Sequence, residues 1–191
     1  MQVRTSDDSP IRVDYVPEAA LGLPAGSGAL GMTFAPGMKD LGWDRDIETD
    51  MSDLRRRWST DVLVSLIEDH EYGFYGMDGY TAAAKNSGIA VDEFPIVDIS
   101  VPREEQVEEF TDLVGGIIGH LRGGRNTVVH CRGGIGRTGT VAASVLVGLG
   151  HDADEAIEIA RESRSPRMVE TRPQEDYVRE FAKRYRGRWS A

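Results

Sequence analysis

A chain of 191 residues, 40% hydrophobic and 28% charged, suffices for one domain that buries about two-thirds of its unfolded surface. Its net charge of −10 argues against nucleic acid or an anionic membrane as the main partner, unless positive charge is gathered locally. One cysteine excludes an internal disulfide and an ordinary thiolate zinc site, no run reaches the ~18 apolar residues of a membrane span, and the polar start "MQVRTSDDSP" lacks the apolar segment of a secretory signal. The expectation is a soluble, cytoplasmic protein with neither metal nor cofactor.

Residues 1–20 hold few apolar side chains and read as an extended N-terminal arm, with the folded domain expected over 21–191. Gly26, Gly28 and Gly31 match the spacing of a dinucleotide-binding loop, but such a loop should open a helix. Here it runs into "MTFAPG", a short strand closed by Pro36 and Gly37, so turns are the better reading.

From Asp46 onward, Ile47, Met51, Leu54 and Trp58 recur at helical spacing, and "TDVLVSLI" (60–67) then reads as a strand buried on both faces. "MDGYTAAAKNSG" predicts a short helix stopped by Gly88, and "IAVDEFPIVDI" an edge strand ended by Pro95. Val107, Phe110, Val114, Ile117, Ile118 and Leu121 mark a long helix with glutamates at its start, where the helix dipole favours them. "NTVVHC" reads as a strand and "TGTVAASVLVGLG" as a helix apolar all round, hence central. Asp152 and Glu155 predict a capping box for "ADEAIEIARESR", and Pro173 suits the first turn of a last helix. This alternation predicts a single α/β domain with a central, mostly parallel sheet and helices on both faces.

Between the last strand and the apolar helix lies "VVHCRGGIGRTGT" (128–140), which contains the lone cysteine. A thiol beside cations and a helix start has its pKa drawn down toward thiolate. Gly133, Gly134 and Gly136 allow successive backbone N–H groups to curl into a nest, and such a nest at a helix start binds anions such as phosphate. Arg137 adds a planar fork matched to two phosphate oxygens. A thiolate under a phosphorus held this way is arranged for nucleophilic phosphoryl transfer.

The string "HCRGGIGRTG" resembles the signature of the cysteine-dependent protein tyrosine and dual-specificity phosphatases, His-Cys-x5-Arg-Ser/Thr. With "PGMKD", "FPIVDISVP" and "VETRPQEDYV" in this order, the chain looks most like the kinase-associated type of dual-specificity phosphatase and its bacterial relatives. The resemblance covers about 150 residues, from "GMTFAPGMKD" to the last helix. It implies Cys131 as the nucleophile of a phosphocysteine intermediate, and Arg132, Gly133, Gly134, Ile135 and Gly136 as the phosphate loop. Arg137 matches the arginine that binds ground and transition states. Thr138 matches the hydroxyl that eases departure of the thiolate, and His130 the residue ordering the loop from behind. Gln174 resembles the glutamine that positions hydrolytic water, though a solvated glutamine at a helix start reads equally well.

An ester oxygen leaves poorly unless protonated, so a carboxylic acid must come from elsewhere in the chain. Asp98, between Pro95 and Pro102, is the choice, and the resemblance places the general acid there too. Asp92 and Glu93 are rivals, but they fall within the expected strand. Glu68, Asp69 and His70 follow a strand and are expected to border the pocket, as are Lys39 and Asp40, without an assigned role.

The expected substrate is a phosphorylated protein or peptide, with no nucleic acid and no membrane as partner. Within the same chemistry, a phosphoinositide, inositol phosphate or RNA 5′-phosphate is the alternative. Arg132 suits such a polyanion, but Gly133, Gly134 and Ile135 add no further charge. Rhodanese-like sulfur transfer needs neither Thr138 nor an acid, and a mere phosphopeptide-binding module does not need Cys131, Arg137 and Asp98 intact. No feature of the sequence assigns an oligomeric state.

Overall fold

The computed structural model describes residues 3–190. Its first elements are short: β1 (Arg4–Thr5), β2 (Asp14–Tyr15) and α1 (Glu18–Leu21). The strand β3 (Leu30–Thr33) follows, then a small hairpin of β4 (Lys39–Asp40) and β5 (Trp43–Asp44). Next come α2 (Ile47–Trp58), β6 (Val62–Ser65), α3 (Asp69–Phe74), α4 (Tyr80–Asn86) and β7 (Ala90–Glu93). The remainder is α5 (Val107–Arg122), β8 (Thr127–His130), α6 (Gly136–Leu149), α7 (Ala153–Ser163) and α8 (Arg172–Tyr185).

The central sheet has the order β2-β3-β8-β6-β7. β3, β8, β6 and β7 run parallel, while β2 pairs antiparallel with β3 at one edge. Every residue of β3, β6 and β8 is buried, which is why their apolar runs do not alternate. Successive side chains still part to opposite faces. Val64 and Val129 join the core under α5, α6, α7 and α8, whereas Leu63 and Val128 join the core under α2 and α4. α6 is buried along nearly its whole length, as a helix without a polar face must be. β7 is the edge strand, partly exposed, and ends at Glu93 before Pro95.

The first twenty residues are extended for much of their length but do not stand apart as an arm. β1 pairs with β5, β2 completes the central sheet, and Ile11, Val13 and Val16 are buried. Strands of two residues carry too little alternation to be seen in a sequence. A buried ion pair holds this region: Arg45 donates to both carboxylate oxygens of Asp50, at 2.8 and 2.7 Å, and to the Ser9 carbonyl at 2.9 Å. Its guanidinium also lies over the rings of Phe34 and Trp43. Gly31 lies inside β3 and no helix follows it, so the dinucleotide spacing has no dinucleotide geometry.

One expected cap differs from the structure. Asp152 occupies the N-cap of α7, but its side chain makes no capping bond. Its carboxylate pairs with the Arg186 guanidinium at 2.7 Å, a stronger partner than a backbone amide, and Glu155 meets His151 at 3.1 Å. A capping box does form at α8, between Thr171 and Gln174.

Candidate active site

Four parallel strands end on the same side of the sheet, and the loops beyond those ends carry the chemistry, as open α/β sheets arrange it. Cys131 directly follows β8, Glu71 lies in α3 after β6, Asp98 follows β7, and Asp40 follows β3. Cys131 is 4% exposed and sits at the base of a cleft of about 220 Å³. Asp98, Ile99, Arg132, Gly133, Ile135, Gly136, Arg137, Arg167 and Glu170 line the rest of that cleft.

The loop that follows Cys131 has its carbonyls held on the outside. Arg132 O accepts from Ala35 N at 3.0 Å. Arg164, the C-cap residue of α7, donates to Gly134 O at 2.7 Å and to Gly133 O at 3.3 Å. It also reaches Met32 O and pairs with Asp14 of β2 at 2.7 Å. Burial pushes Arg164 below the ordinary arginine value, and the Asp14 carboxylate opposes that. With the carbonyls engaged, the N–H groups of Arg132, Gly133, Gly134 and Ile135 donate to no other described residue. Four such amides beside a thiol at the start of a helix have the donors an anion cradle needs.

The glycines serve the cradle for different reasons. Of Gly133, Gly134 and Gly136, only Gly134 is left-handed, at φ 67°, and a Cβ there would lie 2.0 Å from Thr33 O. At Gly136 the constraint is space, because a Cβ would meet Gln174 Nε2 at 2.9 Å and Glu170 Oε2 at 3.1 Å.

Arg137 is 1% exposed and pinned on several sides. Nη1 donates to Glu71 Oε2 at 2.6 Å, Ile96 O at 2.9 Å and Leu66 O at 3.2 Å, while Nη2 donates to Glu71 Oε1 at 3.0 Å. Burial works against its charge, but the hydrogen bonds and charge of Glu71, together with the charges of Cys131 and Asp98, outweigh burial and raise Arg137 well above its ordinary value. Burial likewise opposes the charge of Glu71, and the Arg137 fork keeps that carboxyl below the usual range. Nε of Arg137 is buried and has no partner among the described residues, as is Thr138 Oγ1. Asp98, 44% exposed, meets Arg137 Nη2 at 2.9 Å. The residue after it, Ile99, is left-handed at φ 60°, a costly conformation for a β-branched side chain.

His130 lies fully buried behind the loop. Burial pulls its imidazole from 6.5 down to about 4, so the ring is neutral at working pH. Nδ1 donates to Cys131 O at 3.3 Å, which leaves Nε2 to accept from the Tyr80 hydroxyl at 2.5 Å. The unfolded chain therefore binds this proton before the native one does. The histidine's contribution to stability is complete above about pH 6.5 and falls as pH drops toward 4, by up to about 1.4 kcal/mol per pH unit. His130→Gln is expected to flatten that acid limb; urea midpoints compared at about pH 7 and about pH 4.5 check it, and an equal decline in both proteins would contradict the assignment.

The remaining candidates divide. Arg132 donates to Asp40 Oδ2 through Nε at 3.0 Å and lies over the Tyr75 ring, so its charge is already matched. The side-chain hydrogen bond from Arg132 lowers the Asp40 carboxyl below its ordinary range. Gln174 is fully buried, not solvated, and its Nε2 donates to Ser100 O at 3.1 Å, joining the Asp98 loop to the start of α8. Asp92 is taken by His120 at 2.9 Å and Glu93 by the Tyr72 hydroxyl at 3.4 Å; neither lines the cleft. Glu68 caps α3, and Asp69 and His70 border a separate pocket with Pro95, Val97 and Arg103. Among the described residues, no cluster of His, Cys, Asp and Glu could hold a metal ion, and no helix is long and apolar enough to cross a membrane.

Glu71, Arg164, Asp14 and Tyr80 escape sequence reasoning, because each reaches the loop from far along the chain. The capping box of Glu68 and Glu71 was a usable local signal for α3, but nothing local says that Glu71 also holds Arg137.

Fold and loop together define a class, the cysteine-based dual-specificity phosphatases of the tyrosine phosphatase superfamily. The chain belongs to the family described as the DSP-PTPase phosphatases of polymorphic toxin systems (Tc-R-P), whose model matches residues 36–151. It is similar to cyclin-dependent kinase inhibitor 3 of Rattus norvegicus, at 27% identity over 177 residues, which is 92% of this chain and 80% of that protein. Its fold matches a crystal structure of kinase-associated phosphatase carrying serine for its catalytic-site cysteine. The TM-score is 0.83 at 23% identity, over 92% of this chain and 96% of that one. The active form of Tk-PTP matches with a TM-score of 0.67 at 27% identity, over 83% and 95% of the two chains. The protein is thus a phosphatase.

Proposed function

We propose that this phosphatase hydrolyses phosphotyrosine, and phosphoserine or phosphothreonine, in proteins through a phosphocysteine intermediate on Cys131. The observation that carries the proposal is the set of four partnerless amides from Arg132 to Ile135 beside that thiol. These donors and the free Nε of Arg137 match the non-bridging oxygens of a phosphomonoester. Because Asp40 and Tyr75 already engage Arg132, the loop offers a phosphoinositide or inositol polyphosphate little extra charge, which favours a protein substrate.

In the first step the thiolate of Cys131 attacks phosphorus in line with the ester oxygen. The S–P bond forms, the P–O bond breaks, and the leaving oxygen takes a proton from Asp98. Binding of phosphate to Arg137 replaces the contact at 2.9 Å that Asp98 makes there, which frees the carboxyl to meet the leaving oxygen. In the second step Asp98 takes a proton from water, the water oxygen attacks phosphorus, and the P–S bond breaks. The buried hydroxyl of Thr138, without another partner, is suited to receive the charge returning to sulfur. Every step uses side chains of this protein and water, with no metal or cofactor.

Asp98→Asn tests the acid. With alkyl phosphates, kcat is expected to fall by roughly 10²–10⁴, the span of general acid catalysis, and with a nitrophenyl ester, whose oxygen leaves without help, by much less. An equal loss for both leaving groups would exclude Asp98 as the proton donor.

A further inference from the structure

Apolar side chains gather at the edge of the sheet that carries the catalytic loop. Five large ones are exposed among the described residues, and the three most exposed are Leu41 at 89%, Phe74 at 74% and Ile99 at 63%. Single exposed apolar residues are ordinary on a protein surface, whereas several on neighbouring loops beside a cleft mark a binding face. Leu41 lies in the turn of the β4–β5 hairpin, Phe74 ends α3, and Ile99 follows Asp98.

Contacts join these loops around Arg132, which forms part of the cleft wall. Leu41 follows Asp40, whose carboxylate accepts from Arg132 Nε at 3.0 Å. The Arg132 guanidinium lies 5.3 Å over the Tyr75 ring, and that ring meets Phe74 edge-on at 5.0 Å. Lys39 N donates to Tyr75 O at 2.8 Å, which docks the hairpin on the end of α3. Tyr75 is also near enough to Asp98 to feel its charge, and Ile99 shares the cleft wall with Arg132. The exposed apolar groups therefore make a rim continuous with the cleft above Cys131.

Ile99 adds a separate observation. Its backbone is left-handed, at φ 60°, where glycine or asparagine would fit with far less strain. Burial does not offset that strain, because most of the side chain is in solvent. A strained residue that the core does not need is the kind found where a ligand is gripped.

The cations nearest the rim are already matched, Arg132 by Asp40 and Lys39 by Asp44 at 3.8 Å. With Asp98 beside it and a net charge of −10 on the chain, the rim does not suit an anionic lipid surface. It suits a peptide, which brings its neighbouring side chains to the mouth of the cleft when its phosphate enters.

We infer that Leu41, Phe74 and Ile99 are specificity-determining residues, which take up apolar side chains flanking the phosphorylated residue of a protein substrate. The inference rests on the proposed phosphoprotein activity and names the sequence context that this activity selects.

The test is a set of phosphotyrosine peptides that differ only in their flanks, leucine, serine or glutamate, compared by kcat/KM. The wild type is expected to favour the leucine set over the serine set by about tenfold, the size of one apolar side chain leaving water. Raised salt should not diminish that preference, since no charge carries it. Phe74→Ser and Leu41→Ser are each expected to lower the leucine-to-serine ratio by about threefold. Ile99→Asn, which suits a left-handed backbone, should lower it as much without lowering the unfolding temperature. A fall in both ratio and unfolding temperature for Ile99→Asn would mean that Ile99 holds its loop in shape and would overturn its assigned role. Equal hydrolysis of all three sets, a preference for glutamate, a ratio that survives all three substitutions, or faster turnover of phosphoinositide in vesicles than of any peptide would overturn the inference and leave the phosphocysteine chemistry standing. Failure to hydrolyse any of the peptides would instead remove the proposal on which it rests.

Discussion

Serine in place of Cys131 is expected to lower turnover of an aryl phosphate by roughly 10⁴-fold or more while phosphate still binds. The exchange swaps one atom at a site 4% exposed, so the fold around it has no reason to shift. What changes is the nucleophile. A thiolate is a far stronger nucleophile than a serine hydroxyl, and the hydroxyl has no base positioned beside it. The amides of Arg132, Gly133, Gly134 and Ile135 and the guanidinium of Arg137 are all retained. Phosphate affinity, read by calorimetry or by the rise in unfolding temperature with added phosphate, should therefore be kept within a few-fold. Turnover above a few per cent of wild type would exclude the thiol as nucleophile.

The second large effect is expected at Arg137. Arg137→Lys should lower kcat/KM by roughly 10³-fold, because an ammonium cannot reproduce the planar fork. The native guanidinium spans Leu66 O, Ile96 O, both oxygens of Glu71 and one of Asp98. A lysine reaching the same space would satisfy at most some of these and would offer phosphate a single point of charge. Glu71→Gln should act through the arginine, costing roughly tenfold to 100-fold in kcat/KM, because it loosens the fork without removing it. The two substitutions together should cost less than the product of the separate losses, since Glu71 has no guanidinium fork left to orient once Arg137 is replaced. Fully multiplicative losses would mean that Glu71 acts on the reaction independently of Arg137.

The strand, glycine loop and helix around Cys131 were legible in the sequence because their residues are contiguous and their backbone conformation is a local property. The same holds for α2 and α5, whose apolar spacing is long enough to be unambiguous, for α6, apolar all round, for α8, opened by Pro173, and for β6 and β8, whose apolar runs are bounded by turns. What could not be read is partner choice across the chain. Arg164 holds the loop through Gly134 O, 30 positions away, and is itself held by Asp14, 150 positions away. That single network explains why the first twenty residues are part of the domain and not an arm: β2 supplies the carboxylate behind the cradle. The three glycines of the loop likewise looked alike in sequence, yet only Gly134 needs a left-handed backbone, while Gly136 needs room. At Asp152 a favourable local pattern lost to a charged partner brought by the tertiary fold, Arg186, while Glu155 turned to its near neighbour His151.

The most direct test of the central claim is to quench the enzyme during turnover of a nitrophenyl phosphate and locate any covalently bound phosphate by peptide mapping. Asp98→Asn serves beside the wild type, since loss of the base for the second step should let the intermediate accumulate. Phosphate is expected on the thiol of Cys131, within the peptide "VVHCRGGIGRTGT", and absent from the Cys131→Ser protein. Phosphate on any other residue, or steady turnover with none bound in either protein, would contradict the account.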